Sequence, residues 1–320
     1  MKFLTDFLNS GTEEQQSKKR LGMWLIAITA VVLMIAVVIL VISSIVMAVK
    51  DKKNDNTEPP VDTSVPPSNY TTTTFAEGQL SVGSLLIVDE THPYVGVQAT
   101  VQPSSNNRVK DENNNDLYKG DYGDVNITQQ TLDAFNLMMK DFHAANSGKT
   151  GYTAGRLWLK SLYNHEMELT DATKAVLKTG CALILEDQDL NGSIYDPETK
   201  KGIGAYQWIY DNAADYGFIL ASDAEGEENI FRYVGVPHAS YMTENEKTIS
   251  EYIELLKGRT AHKPMQRSAK NAEGESVRYH VYYIASDSES FFVPVNSEAY
   301  EVSGDNVGGY IVTVNVSKLK

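Results

Sequence analysis

The chain has 320 residues, with 42 Asp and Glu against 28 Lys and Arg, and a formal net charge of −14 at neutral pH. So acidic a chain is excluded as a nucleic-acid binder, because gripping phosphates needs a basic surface. Its one cysteine, Cys181, excludes an intrachain disulfide framework.

Residues 21–49 (LGMWLIAITAVVLMIAVVILVISSIVMAV) carry no charged side chain. A helix of about 20 apolar residues crosses the hydrocarbon core, so this longer run spans it with some tilt. A cleavable signal has an apolar region of only about 7–15 residues, which makes the segment a retained transmembrane anchor. Lys18, Lys19 and Arg20 before it nearly balance Lys50, Lys52 and Lys53 after it, so charge bias sets no orientation. Residues 50–77 decide the matter. They are rich in Pro, Thr, Asp and Asn and poor in large apolar residues, the composition of a disordered stalk. The expected arrangement is a cytoplasmic tail over 1–20, one membrane span, and an extracellular C-terminal domain on a bacterial, Gram-positive cell membrane.

Folding is expected to begin near Gly78. Leu85–Val88 reads as a short strand. Leu132, Phe135, Met139 and Phe142 recur at helical spacing across 128–147, with Gly148 as the stop. The run CALIL at 181–185 has strand length. Next, residues 205–216 read as a helix closed by Gly217, and 218–221 and 230–235 as strands. Thr243-Glu244-Asn245-Glu246 has capping-box spacing and is expected to open a helix carrying Ile249, Ile253 and Leu256. Residues 259–275 look polar and loop-like. Strands are expected at 278–284, 290–295 and 309–316, with turn material at 303–306; together they form a small C-terminal β module over 259–320.

Residues 187–198 (DQDLNGSIYDPE) place Asp187, Asp189, Asn191, Ser193 and Glu198 at the first, third, fifth, seventh and twelfth positions, with Gly192 at the sixth. That is the oxygen-ligand spacing of a calcium loop. The flanks are wrong for a helix–loop–helix, and an acidic hairpin turn on Asn191-Gly192 is the competing reading. Cys181, inside an apolar run without an adjacent base, is expected to be an inert buried thiol. The run Tyr279–Tyr283 reads as a half-buried strand. His165-Glu166 is no metal motif, because Leu169 stands where a second histidine is needed.

The middle of the chain resembles the VanY-like D-alanyl-D-alanine carboxypeptidases, zinc enzymes that trim peptidoglycan stem peptides. The likeness rests on LLIVDETHPY at 85–94, LWLKSLYN at 157–164, KTGCALIL at 178–185, WIYDNAADYGFIL at 208–220 and EENIFRYVGVPHA at 227–239. It implies an α+β domain over 78–258, a small antiparallel sheet flanked by helices. Carried over residue by residue, the family's zinc ligands fall on Leu177, Ile184 and Ile230, its carboxylate-gripping arginine on Asn164, and its general base on Glu227. His238 matches a further histidine, for which a structural hydrogen bond is expected.

A catalytic zinc needs three ligands from His, Asp, Glu or Cys and an open position for water. Leucine and isoleucine offer no lone pair. The expectation is therefore a pseudoenzyme without zinc, one that binds a peptidoglycan peptide or another envelope protein. The alternatives are an active zinc peptidase with other ligands, and a calcium-stabilised structural or adhesive ectodomain.

Overall fold

The computed structural model describes residues 66–76, 78–120, 125–160, 169–187, 190, 192–222, 226–270 and 274–319. The tail, the anchor, most of the stalk, Asn164, His165, Glu166, Asp189 and Asn191 lie outside them. All described residues belong to one compact unit, Thr63–Lys320. Among them, no helix is long and apolar enough to cross a membrane.

Strand β1 (Tyr70–Thr73) is followed by β2 (Lys119–Gly120), helix α1 (Gln129–Asn146) and β3 (Leu157–Lys160). Helix α2 (Asp171–Lys178) leads into β4 (Ala182–Asp187), the hairpin β5 (Tyr195–Asp196) and β6 (Lys201–Gly202), and α3 (Gln207–Asn212). Then come β7 (Phe218–Leu220), β8 (Ile230–Tyr233), α4 (Val236–Glu244) and α5 (Ile249–Leu256). The last stretch is all β: β9 (Met265–Lys270), β10 (Ser276–Ala285), β11 (Phe291–Pro294), β12 (Tyr300–Gly304) and β13 (Gly309–Asn315).

A five-stranded sheet, ordered β2-β3-β4-β8-β7, organises the first part. Its strands are antiparallel except at one edge, where β2 runs parallel to β3, so the expected antiparallel sheet is mixed. Strand alternation gives the sheet two different faces. Leu157, Leu159, Leu183, Leu185 and Phe231 form one core with Leu132, Phe135, Met138, Met139 and Phe142 of α1. Thr128 caps that helix by accepting from Thr131 N–H, freeing the first turn of an unmet donor. The alternate residues of β4 and β8 point to the opposite face, where α2 packs.

A second sheet, β12-β13-β10-β9, is antiparallel throughout. Its Met265, Val281 and Ile311 share one core with Val234, Met242, Tyr252 and Leu256, so the C-terminal strands are seated on α4 and α5. Strand β1 pairs with β11, and Phe75 stacks on Phe291 and Tyr310 with ring centroids 4.0 and 3.5 Å apart.

Several local expectations change. Tyr70–Thr73, inside the segment expected to be a disordered stalk, is strand β1 paired with β11, and Ser303-Gly304, expected as turn material, ends strand β12. Leu85–Val88 is buried but joins no ladder; Ile87 N–H donates to Asp305 O at 2.8 Å, and Leu85 N–H to the Ser303 hydroxyl at 2.9 Å. Helix α4 occupies Val236–Glu244, started by Pro237 near its N-terminus, a position where the missing N–H is harmless. Thr243–Glu246 therefore ends a helix rather than opening one. The capping box of α5 is Thr248 with Glu251, each side chain meeting the other's backbone N–H. Finally, β9 lies within the segment expected to be loop; as an edge strand with only Met265 buried, it needs little apolar signal.

Candidate functional site

Strands β4 and β8 pair with Ala182 opposite Arg232 and Ile184 opposite Ile230. Side chains opposite each other on antiparallel strands share a face. Ile184 and Ile230 are fully buried there with Leu169, and Leu177 of α2 and Ala221 pack against them. The three positions onto which zinc ligands map are thus brought together, as a hydrocarbon cluster. Burying each isoleucine contributes roughly 1.5–3 kcal/mol, with no lone pair offered.

Glu227 is only 1% exposed. Its Oε1 accepts from Thr170 N–H at 2.6 Å and its Oε2 from the Thr173 hydroxyl at 2.6 Å. Thr170 is the N-cap of α2 and accepts from Thr173 N–H, so the carboxylate clasps the start of that helix. Burial alone would push the Glu227 pKa up. Hydrogen bonds from Ser222, Thr173 and Thr170 outweigh it and hold the pKa below the ordinary carboxylate value. Both carboxylate oxygens are thus occupied at the start of α2.

On the same sheet face Lys160, opposite Ile184, pairs with Glu186 at 3.6 Å. A cleft of about 690 Å³ opens beside the cluster. Thr170, Thr173 and Ser222 line it, as do Arg232 and the α4–α5 turn. Sequence reasoning passes over Thr170, Thr173 and Ser222, although Thr170-x-x-Thr173 has the spacing of an N-terminal cap.

The calcium-type loop is arranged around Asp187, which is completely buried. Arg156 Nε lies 2.9 and 2.7 Å from its two carboxylate oxygens, and Tyr206 donates to Oδ2 at 2.6 Å. Asp187 and Gly192 exchange backbone hydrogen bonds at 3.1 Å, closing a tight hairpin in which Gly192 has φ +97°. The Ser193 hydroxyl donates to Tyr195 O, and Glu198 lies exposed at the β5–β6 turn. Among the described residues, no three His, Cys, Asp or Glu side chains converge on a metal position.

His238 is buried, with Nδ1 2.8 Å from the Tyr252 hydroxyl and Nε2 2.8 Å from that of Thr313. Burial lowers its pKa to about 3. Cys181 is buried and its pKa raised by that burial. Strand β10 buries Val281 and Tyr282 and leaves Tyr279 and Tyr283 half-buried.

No protein-family model matches the sequence. A D-alanyl-D-alanine carboxypeptidase of Enterococcus faecium is 34% identical over 117 residues, covering 34% of this chain and 36% of that protein. The chain thus spans about a third of the length of the curated relative it matches. Among solved structures, the vancomycin-resistance D,D-dipeptidase VanXYg, in complex with a D-Ala-D-Ala phosphinate analogue, superposes with a TM-score of 0.51 at 18% identity, covering 77% of this chain and 99% of that one. A looser overlap, TM-score 0.31 at 21% identity over 43% of this chain and 74% of the other, is with the LdcB LD-carboxypeptidase. The chain resembles the VanY-like DD-carboxypeptidases, and its mixed α+β fold is similar to that of VanXYg. Zinc, which that resemblance implies, does not fit the mapped positions: Leu177, Ile184 and Ile230 fill them with hydrocarbon, and Glu227 is spent on the helix start.

Proposed function

We propose that this chain is a membrane-anchored, wall-facing relative of the DD-carboxypeptidases that binds without cleaving. The cleft beside the former metal positions would hold a peptidoglycan stem peptide, or a segment of another envelope protein. The observation that supports this reading is the apolar cluster of Leu177, Ile184 and Ile230. Hydrolysis in a zinc peptidase depends on water acidified by the metal, and three ligands hold that metal. Here none of the three side chains can bind one, yet the cleft remains open at about 690 Å³, a size that accommodates a short peptide end. The D-Ala-D-Ala analogue bound by VanXYg and the activity of the enterococcal relative favour a stem-peptide end as the ligand class.

The test is to incubate the full chain with a peptide ending in D-Ala-D-Ala, with and without added zinc, and to assay both free D-alanine and binding. Binding without release is expected. Zinc-dependent release that disappears in Glu227→Gln would show an active peptidase with other ligands. The proposed topology is checked by adding protease to intact cells. Release of a fragment beginning within 51–69, ahead of β1, is expected, and a fully protected domain would overturn it.

A further inference from the structure

The cleft carries its charges in an ordered way. Arg232 lines it and is only 5% exposed. Its Nη2 donates to the carbonyls of Leu86 and Ser84, while its buried Nε has no partner. Among the described residues, no carboxylate pairs with this guanidinium. Burial lowers its pKa to about 10, so it stays protonated at neutral pH. A buried cation is ordinarily matched by an anion, and an unmet buried N–H calls for an explanation. Arginine's planar fork is the side chain best shaped to receive a carboxylate.

The exposed lining has the opposite sign. Asp211 and Glu246, both exposed, and half-buried Asp89 line the cleft; the other base among the lining residues is Lys247, half-buried and 3.9 Å from Glu251. Thr91 and His92 hold Asp89 ionised, with a pKa of about 2. Glu246 follows α4 with φ +50°, a left-handed conformation that glycine adopts far more readily. An acidic side chain is thus held beside the cleft at a backbone penalty that a glycine would avoid.

We infer that the cleft is a polarised receptor for a peptide that enters carboxylate first: the terminal carboxylate meets Arg232, and an amine-bearing residue stays among the acids at the mouth. The inference rests on the peptide-binding reading above and deepens it. It also gives the cleft an anion anchor distinct from position 164, where the family's arginine maps onto asparagine.

Three probes test it by calorimetric titration against the full chain: Nα-acetyl-Lys-D-Ala-D-Ala, its C-terminal amide, and its Nε-acetylated form. Amidation removes the anion without touching the protein, so the result does not depend on whether an Arg232 variant folds. The amide is expected to bind at least about tenfold more weakly, the scale of one charge-assisted pair in a desolvated site. Acetylation of the lysine is expected to weaken binding about threefold, the scale of an exposed pair, and Glu246→Gln to erase that difference while leaving the amide effect intact. Equal affinities for acid and amide would overturn the polarised cleft and leave peptide binding standing. An acetylated probe that binds as well as the free amine would overturn the acidic mouth. If none of the three binds, the peptide-binding reading falls, and the polarity with it.

Discussion

Replacing Glu227 tests whether its carboxylate has become a structural clasp. In Glu227→Ala, Thr170 N–H and the Thr173 hydroxyl lose their acceptors in a site that is 1% exposed. A buried group left unsatisfied costs about 1–3 kcal/mol, and two together give roughly 2–5 kcal/mol after partial relaxation. Glu227→Gln is milder. One amide oxygen still accepts from Thr170, the Thr173 hydroxyl can turn to accept from the new NH₂, and the loss is the charge assistance, about 1–2 kcal/mol. The sign with pH follows from the depressed pKa: the stabilisation is present above the unfolded carboxylate's pKa and is lost as pH falls through the lower folded value. Denaturant unfolding of the full chain and both variants, at pH 7 and again in acid, measures this directly. The gap between wild type and Glu227→Gln should be full at neutral pH and close in acid. A gap below about 0.5 kcal/mol at pH 7, the ordinary range of a surface change, would refute the clasp.

Three further outcomes are expected. His238 is neutral in the fold with a pKa of about 3, so stability should fall by about 2 kcal/mol between pH 7 and pH 5 as the unfolded histidine, near 6.5, takes up its proton; His238→Gln should flatten that slope. Asp187→Ala should destabilise by about 2–4 kcal/mol, equally in calcium and in chelator, because it removes the buried carboxylate that both Arg156 and Tyr206 meet. A calcium-induced rise in melting temperature that Glu198→Ala abolishes would instead make the loop a cation site. The triple variant Leu177→His/Ile184→Asp/Ile230→His should be destabilised by several kcal/mol without metal and regain stability with added zinc, since an unpaired buried aspartate is costly and a metal bound only by the native state stabilises it. Unchanged stability with and without zinc would mean that the three positions do not converge.

How far the fold is legible depends on where the apolar side chains sit. Helix α1 states itself through Leu132, Phe135, Met139 and Phe142, and β4 through its continuous apolar run, because both are buried against one another. Gly217 marks the end of the helical stretch before β7: it has φ +86°, and a Cβ there would lie 2.9 Å from Val236 N. Elements held by long-range contacts escape. Strand β9 is an edge whose neighbour β10 supplies the pairing, and Leu85–Val88 is fixed by Ser303 and Asp305, more than 200 residues later in the chain. No local pattern in 85–88 encodes those partners.

For the site the division is sharper. The convergence of Leu177, Ile184 and Ile230 is predictable from the resemblance, since a shared fold places equivalent positions together whatever side chains they carry. What surrounds the mapped base is not predictable. A carboxylate at 227 reads the same whether it faces water or a helix start, and the difference lies in Thr170 and Thr173, 57 and 54 residues away in sequence. Nothing in the segment around Asp187 announces Arg156, 31 residues earlier, against its carboxylate. Arg232 belongs to a recognisable segment, yet that no carboxylate pairs with it among the described residues is visible only in the fold. Residue type can therefore suggest the chemistry of a position, but the partners decide it. In this chain they set a mapped base against a helix start and leave a buried arginine lining the cleft.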